Sequence, residues 1–331
     1  MNIAFTLCSI NYLAQAKTLH NSLKLSNPDW KFIIGLVDKN EHNVDLSFLD
    51  CEVIEVGDVP IDGFEQMINS YSIVEFVTAV KPFYFTHLFK LYGNVNKIIY
   101  FDPDIMVFSP LTGLEQKLDE YDIILTPHFT QPITDKYLPT EKHVFNTGVF
   151  NLGFLAVKRS ENTLRMLKWW EDKLRTECIL DLTRGYFVDQ LWMGLVPSYF
   201  EKVLIDKYPG HNMAHWNLHE RTLKGADNNY TVNGLPLVFF HFSHYSPSSP
   251  NEIASHHTRF SFDTRPDLKG IFEKYRNGLL TNNYYELKKI PCYYMQNEKK
   301  KKFKKSVESF IRKNLPLKTK MLLSRLLKKH S

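Results

Sequence analysis

A chain of 331 residues with 44% hydrophobic content holds enough apolar sequence for one large α/β core or two smaller ones, and 14% aromatics exclude a disordered chain. The net charge of +5 is uneven: residues 298–331 carry thirteen Lys or Arg against two Glu, and residues 1–297 carry 28 basic against 34 acidic residues, so a mildly acidic body ends in a strongly basic segment. The four scattered cysteines show neither zinc-ligand spacing nor a disulfide framework and fit a reducing compartment; no apolar stretch reaches bilayer length, and no secretory signal is expected.

In chain order, Ile3-Ala4-Phe5-Thr6-Leu7 is the first predicted strand. A loop at Cys8, Ser9, Ile10, Asn11 and Tyr12 leads into a helix over 14–25, with Ala16, Leu19 and Leu23 on one face. Phe32-Ile33-Ile34-Gly35-Leu36-Val37 is the second strand, closed by Asp38, and 51–56 is the third. Strand, helix and strand of these lengths form a βαβ unit, which predicts a parallel sheet with ligands at the carboxyl ends of its strands. Asn11, Tyr12 and Asp38 fall at those ends. No glycine stands between Cys8 and Tyr12, which argues against a dinucleotide dehydrogenase, a P-loop enzyme and a sugar nucleotidylyltransferase. One helix is predicted over 64–78 and another to about residue 91. Pro82 suits the first position of the second, so Lys81 stands near a helix N-terminus, where phosphate is also favoured. A solvated surface lysine is the alternative.

The run Lys97-Ile98-Ile99-Tyr100-Phe101 reads as a buried strand that ends in Asp102-Pro103-Asp104, and apolar Ile105-Met106-Val107-Phe108 follows. Burying two neighbouring carboxylates is costly unless a cation neutralises them. Proline stiffens the spacer, and two hard oxygen ligands suit Mg²⁺ or Mn²⁺ together with phosphate oxygens. Taken alone, Asp-Pro-Asp also fits a solvated turn; the apolar flanks favour the metal site.

Beyond it, 121–126 is a strand ending at Pro127-His128. Asn146-Thr147-Gly148 and Asn151-Leu152-Gly153 are two Asn-x-Gly segments, the second running into an apolar strand. A helix over 164–174 carries Trp169 and Trp170 as core residues. Asp189-Gln190 opens Leu191-Trp192-Met193, which alone is an N-cap pattern. The aromatic, polar loop 208–217 has the composition of a sugar pocket wall or of a structural loop. A last strand over 235–240 delivers His241, whose imidazole is a good Mn²⁺ ligand beside carboxylates.

Tyr100-Phe101-Asp102-Pro103-Asp104-Ile105 resembles the Asp-x-Asp motif of GT-A-fold glycosyltransferases, especially bacterial enzymes related to glycosyltransferase family eight. The likeness runs by motif order from residue 1 to about 250. It implies a Rossmann-like, mixed and mostly parallel sheet flanked by helices. It also implies Mn²⁺ (or Mg²⁺) on Asp102, Asp104 and His241, gripping the diphosphate of a nucleotide sugar. By the same resemblance Tyr12, with Asn11, stacks on the base and Lys81 reaches toward the donor; Asp38, by its place at a strand end, is a further candidate for the nucleotide. Asn151, with Asn146 as alternative, helps hold the donor sugar, and Gly153 lets the backbone approach it. Asp189 accepts hydrogen bonds from sugar hydroxyls, and the Gln190 amide sits near the anomeric carbon. Retention of configuration is implied as well. The chain departs from the family after His241: His244 replaces a usual glycine, and Ser246-Pro247-Ser248-Ser249-Pro250 replaces Lys-Pro-Trp, which puts diphosphate contacts from that loop in doubt.

At the end, Phe303, Val307, Phe310 and Ile311, then Leu317, Met321, Leu322 and Leu326, form apolar stripes among dense Lys and Arg. That pattern describes an interfacial helix on anionic lipid; the acidic body and lack of motif argue against nucleic acid. The sequence therefore predicts a catalytic domain over 1–250, a helical extension packing on it over 251–297 and a basic amphipathic tail over 298–331. The expected activity is transfer of a sugar from a nucleotide sugar, with UDP the expected nucleotide, to a glycan or lipid-linked oligosaccharide of surface polysaccharide, at the cytoplasmic membrane face. A nucleotide-sugar hydrolase and a non-catalytic carbohydrate-binding protein are the rival readings.

Overall fold

The computed structural model describes residues 1–227 and 229–295; the predicted amphipathic tail over 298–331 lies outside the described residues. The chain runs β1 (Asn2–Cys8), α1 (Leu13–Ser26), β2 (Lys31–Leu36), β3 (Glu52–Glu55), α2 (Phe64–Ser70), α3 (Ile73–Ala79), α4 (Lys81–Leu91), β4 (Lys97–Phe101), β5 (Ile105–Val107), α5 (Thr112–Glu120), β6 (Ile123–Leu125), α6 (Glu141–Thr147), β7 (Phe154–Lys158) and α7 (Glu161–Glu177). Then come the small β8 (Leu180–Asp181) and β9 (Tyr186–Phe187), α8 (Val196–Tyr199), β10 (Val203–Ile205), β11 (Met213–Ala214), β12 (Leu223–Lys224), β13 (Thr231–Val232), β14 (Leu235–Pro236), β15 (Phe239–His241), α9 (Lys269–Thr281) and α10 (Tyr284–Leu287).

Seven strands form the central sheet in the order β10-β6-β7-β4-β1-β2-β3. β1 pairs in parallel with β2 and β4, and β2 with β3; β7 alone runs against its neighbours β4 and β6. The sheet is mixed and mostly parallel, as expected. Its inner strands are buried on both faces: Ile3, Phe5 and Leu7 join one apolar cluster with α3, α4 and α7, while Ala4 and Cys8 join the other with α1 and α9. Alternate side chains point to opposite faces, so a strand covered by helices on both sides reads as a continuous apolar run. Beyond the central domain, Tyr275 of α9 stacks on Phe242 at 3.9 Å, and Asn282 donates to Thr18 Oγ1 of α1 at 2.9 Å.

Two predicted elements divide. The helix expected over 64–78 is two, because Tyr71 and Ser72 are extended and Ser72 caps the second. Its side chain accepts from Glu75 N, and the Glu75 carboxylate accepts from Ser72 N at 2.7 Å, a capping box that stabilises a new helix start by about 1 kcal/mol. The strand expected over 235–240 also divides. β14 turns back on β13 through Asn233 and Gly234, both at positive φ, the conformation of a tight hairpin turn. Only Phe239–His241 continues as β15.

That second piece positions the site. β15 pairs antiparallel with β5, with His241 opposite Ile105, and in parallel with β11. The chain therefore leaves the central sheet at the end of β4, passes through Asp102, Pro103 and Asp104, and enters a second, three-stranded sheet at β5.

Candidate active site

The three residues at this junction are fixed from both sides. Asp102 N donates to Gly153 O at 2.7 Å, Ile105 N to Asp102 O at 3.1 Å and Phe242 N to Asp104 O at 2.9 Å. His241 Nε2 stands 3.0 Å from Asp104 Oδ1 and 3.8 Å from Asp102 Oδ2. One ligand atom from each of Asp102, Asp104 and His241 lies within 4.8 Å of the others, the one such group among the described residues. Two carboxylate oxygens and an imidazole nitrogen are a donor set for Mn²⁺ or Mg²⁺.

The electrostatics fit a cation. Burial pushes the Asp102 carboxyl above its ordinary range, and Lys81 and His241 only partly oppose it. Burial also acts on Asp104, yet His241 overcomes it and holds that carboxyl below the ordinary range. The same two carboxylates outweigh burial at His241 and raise the imidazole. Three titratable groups that lean on one another's charge, with one carboxylate held against ionisation, are short of positive charge, which a divalent ion supplies. Tyr100 supports Asp102 by donating its hydroxyl to Oδ1 at 2.5 Å.

A cavity of about 550 Å³ opens beside Asp102 and His241. Its floor holds Lys81, Asp189, Asn151 and Gln190. Lys81 is no surface lysine. It is 2% exposed, bonds Asp189 Oδ2 at 2.6 Å and Leu152 O at 2.9 Å, and lies 4.4 Å over the Tyr100 ring. The fold joins Lys81 and Asp189, each expected to face the donor, in a buried ion pair. Gln190, which opens a short 3₁₀ helix over Leu191–Leu195, is also committed. Its Nε2 donates to Thr147 O at 3.0 Å, and its Oε1 accepts from Leu152 N at 3.1 Å, leaving one N–H and one lone pair for a ligand.

Asn151 accepts from Gly153 N at 3.2 Å and from Asn212 Nδ2 at 3.0 Å. The alternative Asn146 is exposed on α6. A Cβ at Gly153 would lie 2.3 Å from His241 Cε1 and 2.7 Å from its Nδ1, so the glycine makes room for the imidazole. Asn11, Tyr12 and Asp38 do not line this cavity; Tyr12 is 37% exposed with Lys288 Nζ 4.7 Å over its ring. Burial first, then the charge of Asp104, raises its hydroxyl. Asn11 accepts from Ser9 Oγ. Asp38 is 1% exposed, and its carboxylate takes the N–H groups of Ile10 at 3.0 Å, Lys39 at 2.9 Å and Tyr293 at 2.8 Å. It builds the loop that carries Asn11 and Tyr12.

Sequence reasoning passed over several neighbours. Asn212, fully buried at φ 53°, ties Asn151 to Thr126 Oγ1. His128 at the end of β6 packs on Trp216 at 5.2 Å, and Trp216 packs on His241 at 5.2 Å. Burial lowers the His128 imidazole to about 4. The signal for Asn212 and Trp216 was the aromatic, amide-rich composition of 208–217; for His128 it was its place at a strand end.

The sequence pattern of glycosyl transferase family 8 matches residues 2–190. The uncharacterized protein YfnF of Bacillus subtilis (strain 168) is 25% identical over 283 residues, 83% of this chain and 90% of its own length. Among solved structures, the galactosyltransferase LgtC in complex with donor and acceptor sugar analogs aligns with 85% of this chain and 96% of its own, at 15% identity and a TM-score of 0.46. Mouse xyloside xylosyltransferase 1 in its apo form aligns with 73% and 98%, at 14% identity and a TM-score of 0.45.

Proposed function

Because the chain belongs to glycosyl transferase family 8, and is thus a glycosyltransferase acting with a nucleotide-sugar donor, we propose that it moves a hexosyl group from a UDP-sugar to a glycan or lipid-linked oligosaccharide, using Mn²⁺ or Mg²⁺ on Asp102, Asp104 and His241. The observation that carries this reading is the convergence of those three side chains within 4.8 Å where the chain passes from one sheet to the other. Bound there, the cation would neutralise charge developing on the departing nucleoside diphosphate.

The chain's own residues do the rest. Tyr12 offers an exposed ring to the base, and Asp38 fixes the loop that carries it together with Asn11. Asp189, held by Lys81, and the amides of Asn151 and Gln190 orient the sugar; their protein bonds set their directions before a ligand arrives, so little ordering remains to be done on binding. Transfer proceeds with retention in this reading. In its support, the floor carboxylates Asp102 and Asp189 are engaged, one with Tyr100 and the cation site and one with Lys81, so neither is free to act as base on an acceptor hydroxyl.

No helix of the described residues is long and apolar enough to cross a membrane. The basic, apolar-striped sequence of 298–331 supports attachment to the anionic inner face of the membrane. Sedimentation with phosphatidylglycerol vesicles that weakens at high salt checks this, and equal recovery with neutral vesicles contradicts it. For the activity, UDP release is measured with UDP-glucose and UDP-galactose. Release that needs Mn²⁺ and an added glycan, and stops with EDTA, supports the transferase reading. Release at full rate without any acceptor makes the chain a hydrolase.

A further inference from the structure

Six of the chain's thirteen histidines line the cleft, whereas Lys81 is the one lysine or arginine among its described lining residues and is committed to Asp189. Three of the six are already engaged. His241 belongs to the cation site, the His128 ring is bonded to Val149 O, and the His143 ring to Thr140 Oγ1. No hydrogen bond holds the rings of His215, His244 or His256 among the described residues. These three stand together: the His244 ring lies 5.0 Å from that of His256 and 6.1 Å from that of His215.

The backbone ties them to the cation site. Phe242 N donates to Asp104 O at 2.9 Å, Tyr245 N to Phe242 O at 3.0 Å and Ser255 N to His244 O at 3.3 Å, so the segment after His241 turns back and brings His256 beside His244. His244 holds φ 61°, a left-handed backbone that strains a residue with a Cβ and suits glycine. Its side chain is exposed, so core packing does not offset that strain, and strain kept in a binding cleft points to a use for the side chain. His215 is 7% exposed, and its buried Nδ1 has no partner among the described residues, which leaves the ring's proton free to take either nitrogen.

An imidazole offers an N–H donor whether neutral or protonated. A divalent ion on Asp102 and Asp104 is balanced by their carboxylates, so the oxygens of a nucleoside diphosphate still require donors, and the loop from Ser243 to Pro250 contains no lysine or arginine. We propose that His244, His256 and His215 form a phosphate-binding wall of the cleft, their N–H groups holding the diphosphate oxygens that the cation leaves open. This rests on the donor reading above and adds the side chains that hold the leaving group. Hydrogen bonds from N–H groups to an ionised phosphate are of the stronger kind. No covalent bond changes at the wall.

The test is calorimetric titration of UDP into the full chain with Mn²⁺, with uridine measured by displacement as the phosphate-free comparison. His244→Gly and His256→Gln should each weaken UDP binding about tenfold, the loss of one hydrogen bond to a charged group, and leave uridine unchanged. Because glycine relieves the backbone at residue 244, His244→Gly should not lower the unfolding temperature, which separates a lost phosphate contact from a damaged fold. His42→Gln, which alters an exposed histidine outside the cleft, should bind both ligands as the wild type does. UDP affinity unchanged in either cleft variant overturns the proposal, and so does a loss shared equally by uridine or by His42→Gln. If UDP does not bind the wild type, the donor reading fails by itself. Inorganic pyrophosphate with Mn²⁺ then decides the wall, which stands if pyrophosphate binds and both cleft variants weaken it, and falls otherwise.

Discussion

Asp102, Asp104 and His241 could be picked out as side chains because the chemistry of a divalent cation restricts residue type and because strand ends place them. What surrounds them was less legible. Gly153 read as room for a sugar, yet its missing Cβ is where the His241 ring stands, and no spacing rule connects residues 88 positions apart. Gly153→Ala should therefore displace the imidazole and weaken Mn²⁺-dependent UDP binding by about tenfold or more, as loss of a ligand's support does; titration of Mn²⁺ with UDP present checks it, and unchanged affinity contradicts it. Lys81 and Asp189 were each singled out, but their pairing is tertiary. With both side chains 2–3% exposed, removing one charge leaves the other buried alone. Lys81→Met should cost about 3–5 kcal/mol in urea unfolding. Adding Asp189→Leu should restore most of it, and a loss no smaller in the double variant than in the single one would contradict the ion-pair account.

Among the elements, the parallel core was readable because strands covered by helices on both faces are apolar along their length. The divisions were missed although their signals were local: Ser72-Ile73-Val74-Glu75 is a capping box, and Asn233-Gly234 is a hairpin turn. Hydrophobic periodicity ran across both and concealed them. Another device was not readable. Asp206, just after β10, accepts from Lys117 of α5 at 2.7 Å and from His211 Nδ1 at 2.6 Å, and so joins the sheet edge to a helix and to the loop of the cleft. Burial pushes its carboxyl up, but the bonds from His211 and Lys117 win and hold it at about 2, against an ordinary 3.8. A folded pKa below the unfolded one stabilises above the ordinary value, and that contribution is lost as pH falls from about 4 toward 2. The stability difference between the wild type and Asp206→Asn should shrink by about 1 kcal/mol between pH 6 and pH 3. Urea midpoints at the two pH values measure it, and a difference independent of pH contradicts the clamp.

At the scale of the whole molecule, two sheets meet where the Asp-Pro-Asp segment crosses between them, and each brings part of the cation site: the central sheet ends in Asp102, and the second sheet brings His241 opposite Ile105, next to Asp104. The central sheet and its carboxyl-end loops were legible from the βαβ pattern; the second sheet was not, because β5, β11 and β15 have only three, two and three residues and are defined by one another. The central claim is that this junction binds a nucleoside diphosphate through a divalent cation. Calorimetric titration of UDP, with and without Mn²⁺, into the wild type and Asp104→Ala tests it most directly. Tight binding that requires both Mn²⁺ and the Asp104 carboxylate is the predicted result; UDP binding indifferent to Mn²⁺ or to the substitution, or no UDP binding at all, would contradict it.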